Sequence, residues 1–211
     1  MRLRNIPGAN EKIEESRFVI KNAKEQKGKW NELFHNNHPI QIEIGMGKGT
    51  FIKTLALQNP KINFIGIEKY ESVLIRALEK IEDMEVDNLF FLCMNAEEIT
   101  DVFAREEVKQ IYLNFSDPWP KDRHAKRRLT SRQYFERYNE ILDQTGTVVF
   151  KTDNRALFDF SLAEVEEAKW SLDNVTYDLH HSEYRIGNIM TEYEKKFSNE
   201  GKSIHRFVAR R

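Results

Sequence analysis

Two short segments concentrate the residues that could do chemistry. The first is Glu43-Ile44-Gly45-Met46-Gly47-Lys48-Gly49-Thr50. Its alternate glycines let the backbone turn tightly and approach a ligand closely. The spacing is G-x-G-x-G, whereas a dinucleotide fingerprint, G-x-G-x-x-G, would need a glycine where Thr50 stands. Glu43 adds a carboxylate at the entry to the turn. That charge would repel a pyrophosphate, and it suits a ligand carrying an ammonium and a sulfonium, as S-adenosylmethionine does. Glu68 closes the run Asn63-Phe64-Ile65-Gly66-Ile67, at a place where a carboxylate commonly bonds a ribose diol. Asn95, followed by Ala96, ends the run that starts at Leu89 and could reach an adenine edge. A plain glycine turn beside solvent carboxylates is the alternative. The combination of turn, Glu43, Glu68 and strand-to-helix context favours a nucleoside cofactor.

The second segment is Asn114-Phe115-Ser116-Asp117-Pro118-Trp119-Pro120-Lys121. Two prolines stiffen it and bar a helix, so Trp119 sits on a rigid loop where its ring can stack on a base. Asp117 supplies a fixed acceptor or negative charge; its plainer role is a turn carboxylate. The run that follows, Lys121 to Arg128, carries five formal positive charges and one negative. A solvated charge run is the ordinary explanation, but its place beside a candidate site favours phosphate binding. The whole chain has a net charge of -1, so positive charge is concentrated here rather than spread.

These segments need elements to position them. Apolar β-rich runs at Ile40–Ile44, Asn63–Ile67, Leu89–Met94, Ile111–Phe115 and Thr147–Phe150 alternate with helical patterns. Thr50–Asn59 reads as a helix stopped by Pro60. Tyr70, Val73, Leu74, Ala77, Leu78 and Ile81 share one helix face. Thr130 with Gln133 fits a capping box, predicting a helix from Thr130 to about Leu142. Another helix is expected over Asn154–Lys169. Strands are expected near Ser171–His180, Glu192–Phe197 and Ser203–Ala209, with a turn at Asn199-Glu200-Gly201-Lys202. Alternating strands and helices imply a mostly parallel sheet covered on both faces, and the last strands an antiparallel finish. The expectation is an α/β, Rossmann-like fold with a C-terminal hairpin.

The 211 residues suit one domain, expected over 31–211 behind a loosely attached N-terminal arm, 1–30, with basic residues at Arg2, Arg4, Lys12, Arg17 and Lys21. No apolar run approaches the ~20 residues of a membrane span, and the opening Met-Arg-Leu-Arg-Asn has no signal-like apolar region. The single cysteine, Cys93, reads as a buried structural thiol in a protein of a reducing, cytoplasmic compartment. His124, His180, His181 and His205 show no metal-ligand spacing, and no metal site is expected. Trp30 and Trp170 read as core.

Taken together, these motifs resemble the bacterial tRNA (guanine-N7-)-methyltransferases. The similarity rests on the glycine turn, on Gly66-Ile67-Glu68, on the D-P-W-P-K loop joined to Arg123-His124-Ala125-Lys126-Arg127-Arg128, and on Lys151-Thr152-Asp153, Thr191-Glu192-Tyr193-Glu194 and Lys195-Lys196-Phe197. It spans about residue 40 to the end. The resemblance implies a class I methyltransferase fold, a seven-stranded sheet with its last strand antiparallel, and S-adenosylmethionine as cofactor. It implies cofactor contacts at Glu43, Gly45, Gly47, Gly49, Glu68, Asn95, Ala96 and Asp117. Substrate contacts are implied at Lys121, Asp153, Thr191, Glu192, Tyr193 and Glu194, and RNA contacts at Arg123, His124, Lys126, Arg127 and Arg128. The implied target is N7 of a variable-loop guanosine, position 46, of tRNA, and the protein is expected as a monomer or homodimer. Guanine N7 is an unprotonated acceptor, so attack needs no general base. Asp117 and Asp153, with help from Glu194, are expected to favour the developing guanine cation; an N-cap role is the alternative for Asp153. Three other readings stand beside this one: a NAD-dependent oxidoreductase, a methyltransferase acting on an exocyclic amine, and a non-catalytic RNA-binding module.

Overall fold

The computed structural model describes residues 8–211, so Arg2 and Arg4 lie outside the described residues. The chain forms two compact units, Met1–Ala104 and Arg105–Arg211.

In the first unit, α1 (Ala9–Glu15) and α2 (Trp30–Phe34) precede β1 (Ile40–Ile44), α3 (Thr50–Gln58), β2 (Asn63–Glu68), α4 (Glu71–Leu78), β3 (Leu89–Cys93) and the short α5 (Ile99–Val102). β2 pairs in parallel with both β1 and β3. Every residue of β2 is buried, as a strand flanked on both edges and covered on both faces requires. α3 stops at Gln58, because Asn59 precedes Pro60 and is driven out of the helical region.

The N-terminal segment is more firmly attached than its polar sequence suggests. Val19 adds a parallel bridge at the outer edge of β3, with Phe91 N donating to Phe18 O at 2.7 Å and Ile20 N to Phe91 O at 3.0 Å. Ile13, Phe18 and Val19 are buried, and Trp30 is fully buried with its indole N–H on Val102 O at 3.0 Å. A handful of apolar side chains among charged neighbours is enough to dock it, and the edge of β3 is thereby covered.

In the second unit the order is β4 (Val108–Asn114), α6 (Arg132–Ile141), β5 (Leu142–Thr152), α7 (Arg155–Glu167), β6 (Ser171–Thr176), α8 (Glu192–Asn199) and β7 (His205–Arg210). β4 and β5 are parallel, while β7 runs antiparallel between β5 and β6. The class expected from sequence is met: seven strands in a mixed, mostly parallel sheet with an antiparallel end.

Two local expectations fail. The segment Glu192–Phe197 is a helix, not a strand. The Thr191 hydroxyl accepts from Glu194 N–H at 3.0 Å, the T-x-x-E pattern of a capped helix start. Tyr193 and Phe197 are four residues apart and stack on one face. The expected hairpin turn at 199–202 is that helix's exit. Gly201, at φ 76°, lets the amides of Gly201 and Lys202 donate to the carbonyls of Ser198 and Phe197. The last two strands are therefore antiparallel neighbours joined by a long connection carrying α8, rather than by a tight turn. Second, α6 starts at Arg132 after Ser131. Thr130 does not cap it; its hydroxyl is buried and accepts from Ser161 Oγ at 2.6 Å.

Candidate functional site

Within the first unit, the carboxyl ends of three strands carry the residues singled out by sequence. Glu43 lies opposite Gly66 in β2, and Glu68 opposite Cys93 in β3, two residues before Asn95. Strand register thus sets Glu43, Glu68 and Asn95 side by side at one edge, the position where α/β sheets bind ligands. The turn after β1 has Gly45, Gly47 and Gly49 at φ 73°, 57° and 68°. Only glycine adopts three such angles in five residues without strain.

The turn is braced from three sides. Gly45 N and Met46 N both donate to Ile67 O. Glu68 bridges the turn to the next loop: one oxygen accepts from Gly47 N at 3.1 Å, the other from Tyr70 N at 3.0 Å. Lys80 Nζ donates to Lys48 O at 3.0 Å and to Thr50 Oγ1 at 2.5 Å. Gly49 packs so closely on α4 that a Cβ there would stand 2.8 Å from Ala77 Cβ, whereas a Cβ on Gly47 would meet nothing within 4 Å. Open space above Gly47 and buried acidity at Glu43, 2% exposed, fit a cationic ligand laid against the turn. Asn95 caps the short helical turn that includes the buried Ala96, its oxygen accepting from Glu97 N at 3.3 Å. Cys93 is half-buried rather than buried. Burial, then the charges of Glu71 and Glu68, push its thiol up to about 11.

Within the second unit, the proline-rich loop leaves β4 beside the end of β5, with Asn114 opposite Lys151 and Phe115 N donating to Lys151 O at 2.8 Å. Phe115 and Trp119, on either side of Asp117, have φ of 53° and 41°. Left-handed backbone at a bulky residue costs roughly 1–2 kcal/mol each, and strain of this kind gathers where a fixed geometry is used. The loop is held accordingly. Arg128 donates from Nε to Pro118 O and from Nη2 to Trp119 O, both at 3.0 Å. Arg127 lies over the Trp119 ring at 5.0 Å, and His124 meets it edge-on. Asp117 stays exposed.

The residues expected to touch substrate divide sharply. Lys121, Glu192 and Tyr193 are exposed, and Tyr193 is 50% accessible. Asp153 pairs with Lys202 at 3.1 Å, and Lys202 lies over Phe197, which packs against Phe115. Asp153 is not the N-cap of α7, a role taken by Asn154, whose side chain accepts from Leu157 N. Thr191 is largely buried as the cap of α8. Glu194 is fully enclosed: its carboxylate accepts from Lys151 Nζ at 2.6 Å and Asn188 Nδ2 at 2.6 Å, and bonds His180 Nε2 at 2.9 Å. Burial alone would raise its pKa. The Lys151 charge, with the hydrogen bonds of Lys151, His180 and Asn188, outweighs burial and holds it below the usual carboxylate value. Of the basic run, Arg123, Lys126 and Arg127 are exposed, while His124 and Arg128 are half-buried.

Sequence reasoning missed Lys151, His180 and Asn188 as partners of Glu194, and Lys80 as the brace of the glycine turn. The first was detectable: a lysine inside Val148-Val149-Phe150-Lys151 must bury its charge against a carboxylate. Among the described residues, no group of three or more His, Cys, Asp or Glu could hold a metal ion.

Comparison with known proteins adds a second line. The family model described as "Putative methyltransferase" matches residues 37–207. The chain is 63% identical over 209 residues to the tRNA (guanine-N(7)-)-methyltransferase of Lachnoclostridium phytofermentans, covering 99% of this chain and 98% of that protein. It is 49% identical to the protein of the same name from Bacillus subtilis, over 98% and 97% of the two chains. Among solved structures, the 16S rRNA methyltransferase KamB matches with a TM-score of 0.62 at 13% identity, over 86% of this chain and 91% of that one. A SAM-dependent methyltransferase from Aquifex aeolicus matches with a TM-score of 0.57 at 13% identity, over 98% of each. At such identities these structures speak to the fold alone.

Proposed function

The chain belongs to the tRNA (guanine-N(7)-)-methyltransferase family, and from that premise we propose how its residues carry out methyl transfer from S-adenosylmethionine to guanine N7 in tRNA. The observation that carries the proposal is the rigid loop bearing Asp117, held in place between two left-handed residues, Phe115 and Trp119.

The cofactor supplies the reactive methyl, and the protein supplies position and electrostatics. Glu43 would hold the cationic methionyl end, the glycine turn would admit the ligand closely, and Glu68 and Asn95 would bind its ribose and base. When bound, the cofactor would supply a sulfonium methyl to guanine N7, the N–C bond forming as the S–C bond breaks and its electron pair returns to sulfur, so that no proton would move and positive charge would pass to the guanine ring. Asp117 is placed to favour that charge, since a preorganised carboxylate gains interaction energy as the cation develops. Asp153, shared with Lys202, contributes less. Glu194, enclosed by Lys151, His180 and Asn188, serves as a buried anchor rather than as a contact to the base. Holding the reactants in register is worth up to about 7–11 kcal/mol in favourable cases, which explains why so few chemical groups are needed.

Lys121, Arg123, Lys126 and Arg127 grip tRNA phosphates, with Tyr193 offering a stacking face. The target is the variable-loop guanosine at position 46, and the enzyme works in the cytoplasm as a monomer or homodimer. No helix among the described residues is long and apolar enough to cross a membrane.

The test is transfer of a labelled methyl to tRNA, followed by mapping of the modified nucleotide. A transcript with 7-deazaguanine at the target should accept none. Methylation of that transcript would rule out N7 and favour an exocyclic amine.

A further inference from the structure

The basic run joins the proline-rich loop to α6, and its members are not alike. Arg123, Lys126 and Arg127 project into solvent. Arg128 turns inward, with its guanidinium donating to two successive carbonyls, Pro118 O and Trp119 O, each at 3.0 Å. The same guanidinium lies over the ring of Phe160 on α7, its Cζ 4.2 Å from the centroid.

These contacts lock the peptide units on both sides of Trp119, whose φ of 41° is one that a tryptophan rarely adopts. A free loop would relax toward negative φ, swinging the indole and shifting Asp117 two residues upstream. The fork of a guanidinium matches two parallel acceptors, and its plane stacks on an aromatic ring. An ammonium of equal charge offers neither geometry. We propose that Arg128 is a positioning residue for the transfer step, not an RNA phosphate ligand: it clamps Trp119 in its left-handed conformation and so fixes Asp117. This rests on the reading of Asp117 as the carboxylate facing the reacting base.

Arg128→Lys, Arg128→Gln, Phe160→Leu and Lys126→Gln are compared on full-length protein, each checked by circular dichroism for native secondary structure. Methyl transfer to tRNA gives kcat and KM, and the salt dependence of tRNA binding gives the number of phosphates neutralised. Acrylamide quenching reports the loop directly, because Trp30 and Trp170 are buried and Trp119 is the accessible indole.

Arg128→Lys should lower kcat by about tenfold or more, leave KM for tRNA within about twofold, and keep the slope of log K against log salt unchanged. Trp119 should become more quenchable. Phe160→Leu, which removes the stacking face and no charge, should move kcat and quenching in the same direction by less. Lys126→Gln should instead weaken tRNA binding and reduce the salt slope by about one. Full kcat in Arg128→Lys, or a salt slope reduced by Arg128→Gln as by Lys126→Gln, overturns the proposal. If wild-type protein transfers no methyl to tRNA, the functional reading fails. The quenching result still decides the clamp: unchanged quenching in both Arg128 variants disproves it.

Discussion

Replacing Glu194 by glutamine keeps the shape of the side chain and removes its charge. In the folded protein Glu194 is 0% exposed and Lys151 3%, so the variant takes from a buried ammonium the carboxylate it pairs with. Breaking a buried pair from one side costs about 3–5 kcal/mol. For a chain of this size each kcal/mol lowers the melting temperature by about 2–4 °C. Glu194→Gln should therefore melt about 6–20 °C below wild type, and its urea midpoint should fall with little change in slope. The double variant Lys151→Met with Glu194→Met removes both charges and fills the space, and it should regain most of the loss. The pH dependence has a definite sign. The folded carboxyl is held below its usual value, so its contribution is fully present above the unfolded value of about 4.3 and is lost as pH falls through the folded one. The gap between wild type and Glu194→Gln should stay constant near neutrality and narrow below about pH 4. A loss under about 1 kcal/mol, typical of solvent-exposed pairs, would show that water reaches Glu194. The carboxylate would then be free to meet the base, and its assignment as a buried anchor would be wrong.

Three further outcomes are expected. Asp117→Ala should abolish methyl transfer while tRNA affinity stays within about threefold, since one exposed carboxylate adds little to phosphate binding; retained turnover would remove Asp117 from the chemistry. Gly49→Ala adds a left-handed penalty of roughly 1–2 kcal/mol to a contact 2.8 Å from Ala77 Cβ. Lower thermal stability and weaker S-adenosylhomocysteine binding by calorimetry should result, and wild-type values for both would show that the turn is not constrained. Cys93, with its thiol raised to about 11, should hold only about one thiolate in a thousand at pH 8. Iodoacetamide labelling followed by mass should thus be slow until about pH 10, and rapid labelling at pH 8 would contradict the assigned surroundings.

Much of the fold was legible because its strongest signals are local. The runs at Ile40, Asn63, Leu89 and Ile111 are apolar, bounded by turn residues and followed by helical periodicity, so pattern and structure agree. The failure at Glu192–Phe197 has a specific cause: T-E-Y-E-K-K-F alternates enough to pass for an exposed strand beside Asn199-Glu200-Gly201-Lys202, a plausible hairpin turn, whereas the signal for a helix is the capping pattern of Thr191 and Glu194. Attachment of the N-terminal segment was not legible, because it depends on Phe18, Val19 and Ile20 finding the edge of β3, a pairing that local sequence does not encode. Site residues were found by type and by position at strand ends. What sequence could not supply was the direction in which each charge points.

Direction is what separates the charged residues into working groups and supports. Glu194 and Asp117 are both carboxylates in recognisable motifs, and the primary sequence gives no ground to rank them. Glu194 already meets a cation and two further hydrogen-bond partners inside the protein; a guanine cation forming nearby would gain little from a charge so thoroughly neutralised. Asp153 shares its charge with one lysine and keeps 20% of its side chain exposed, so part of its field still reaches outward. Asp117, exposed on a loop that cannot relax, keeps the largest share of its charge for an incoming cation. The same logic divides the basic run, where Arg128 spends its donors on backbone carbonyls while Arg123, Lys126 and Arg127 stay exposed, as the proposed grip on phosphate requires. On the proposed reading, charge committed within the fold positions the loop, and charge left exposed on that loop is what the ligand meets.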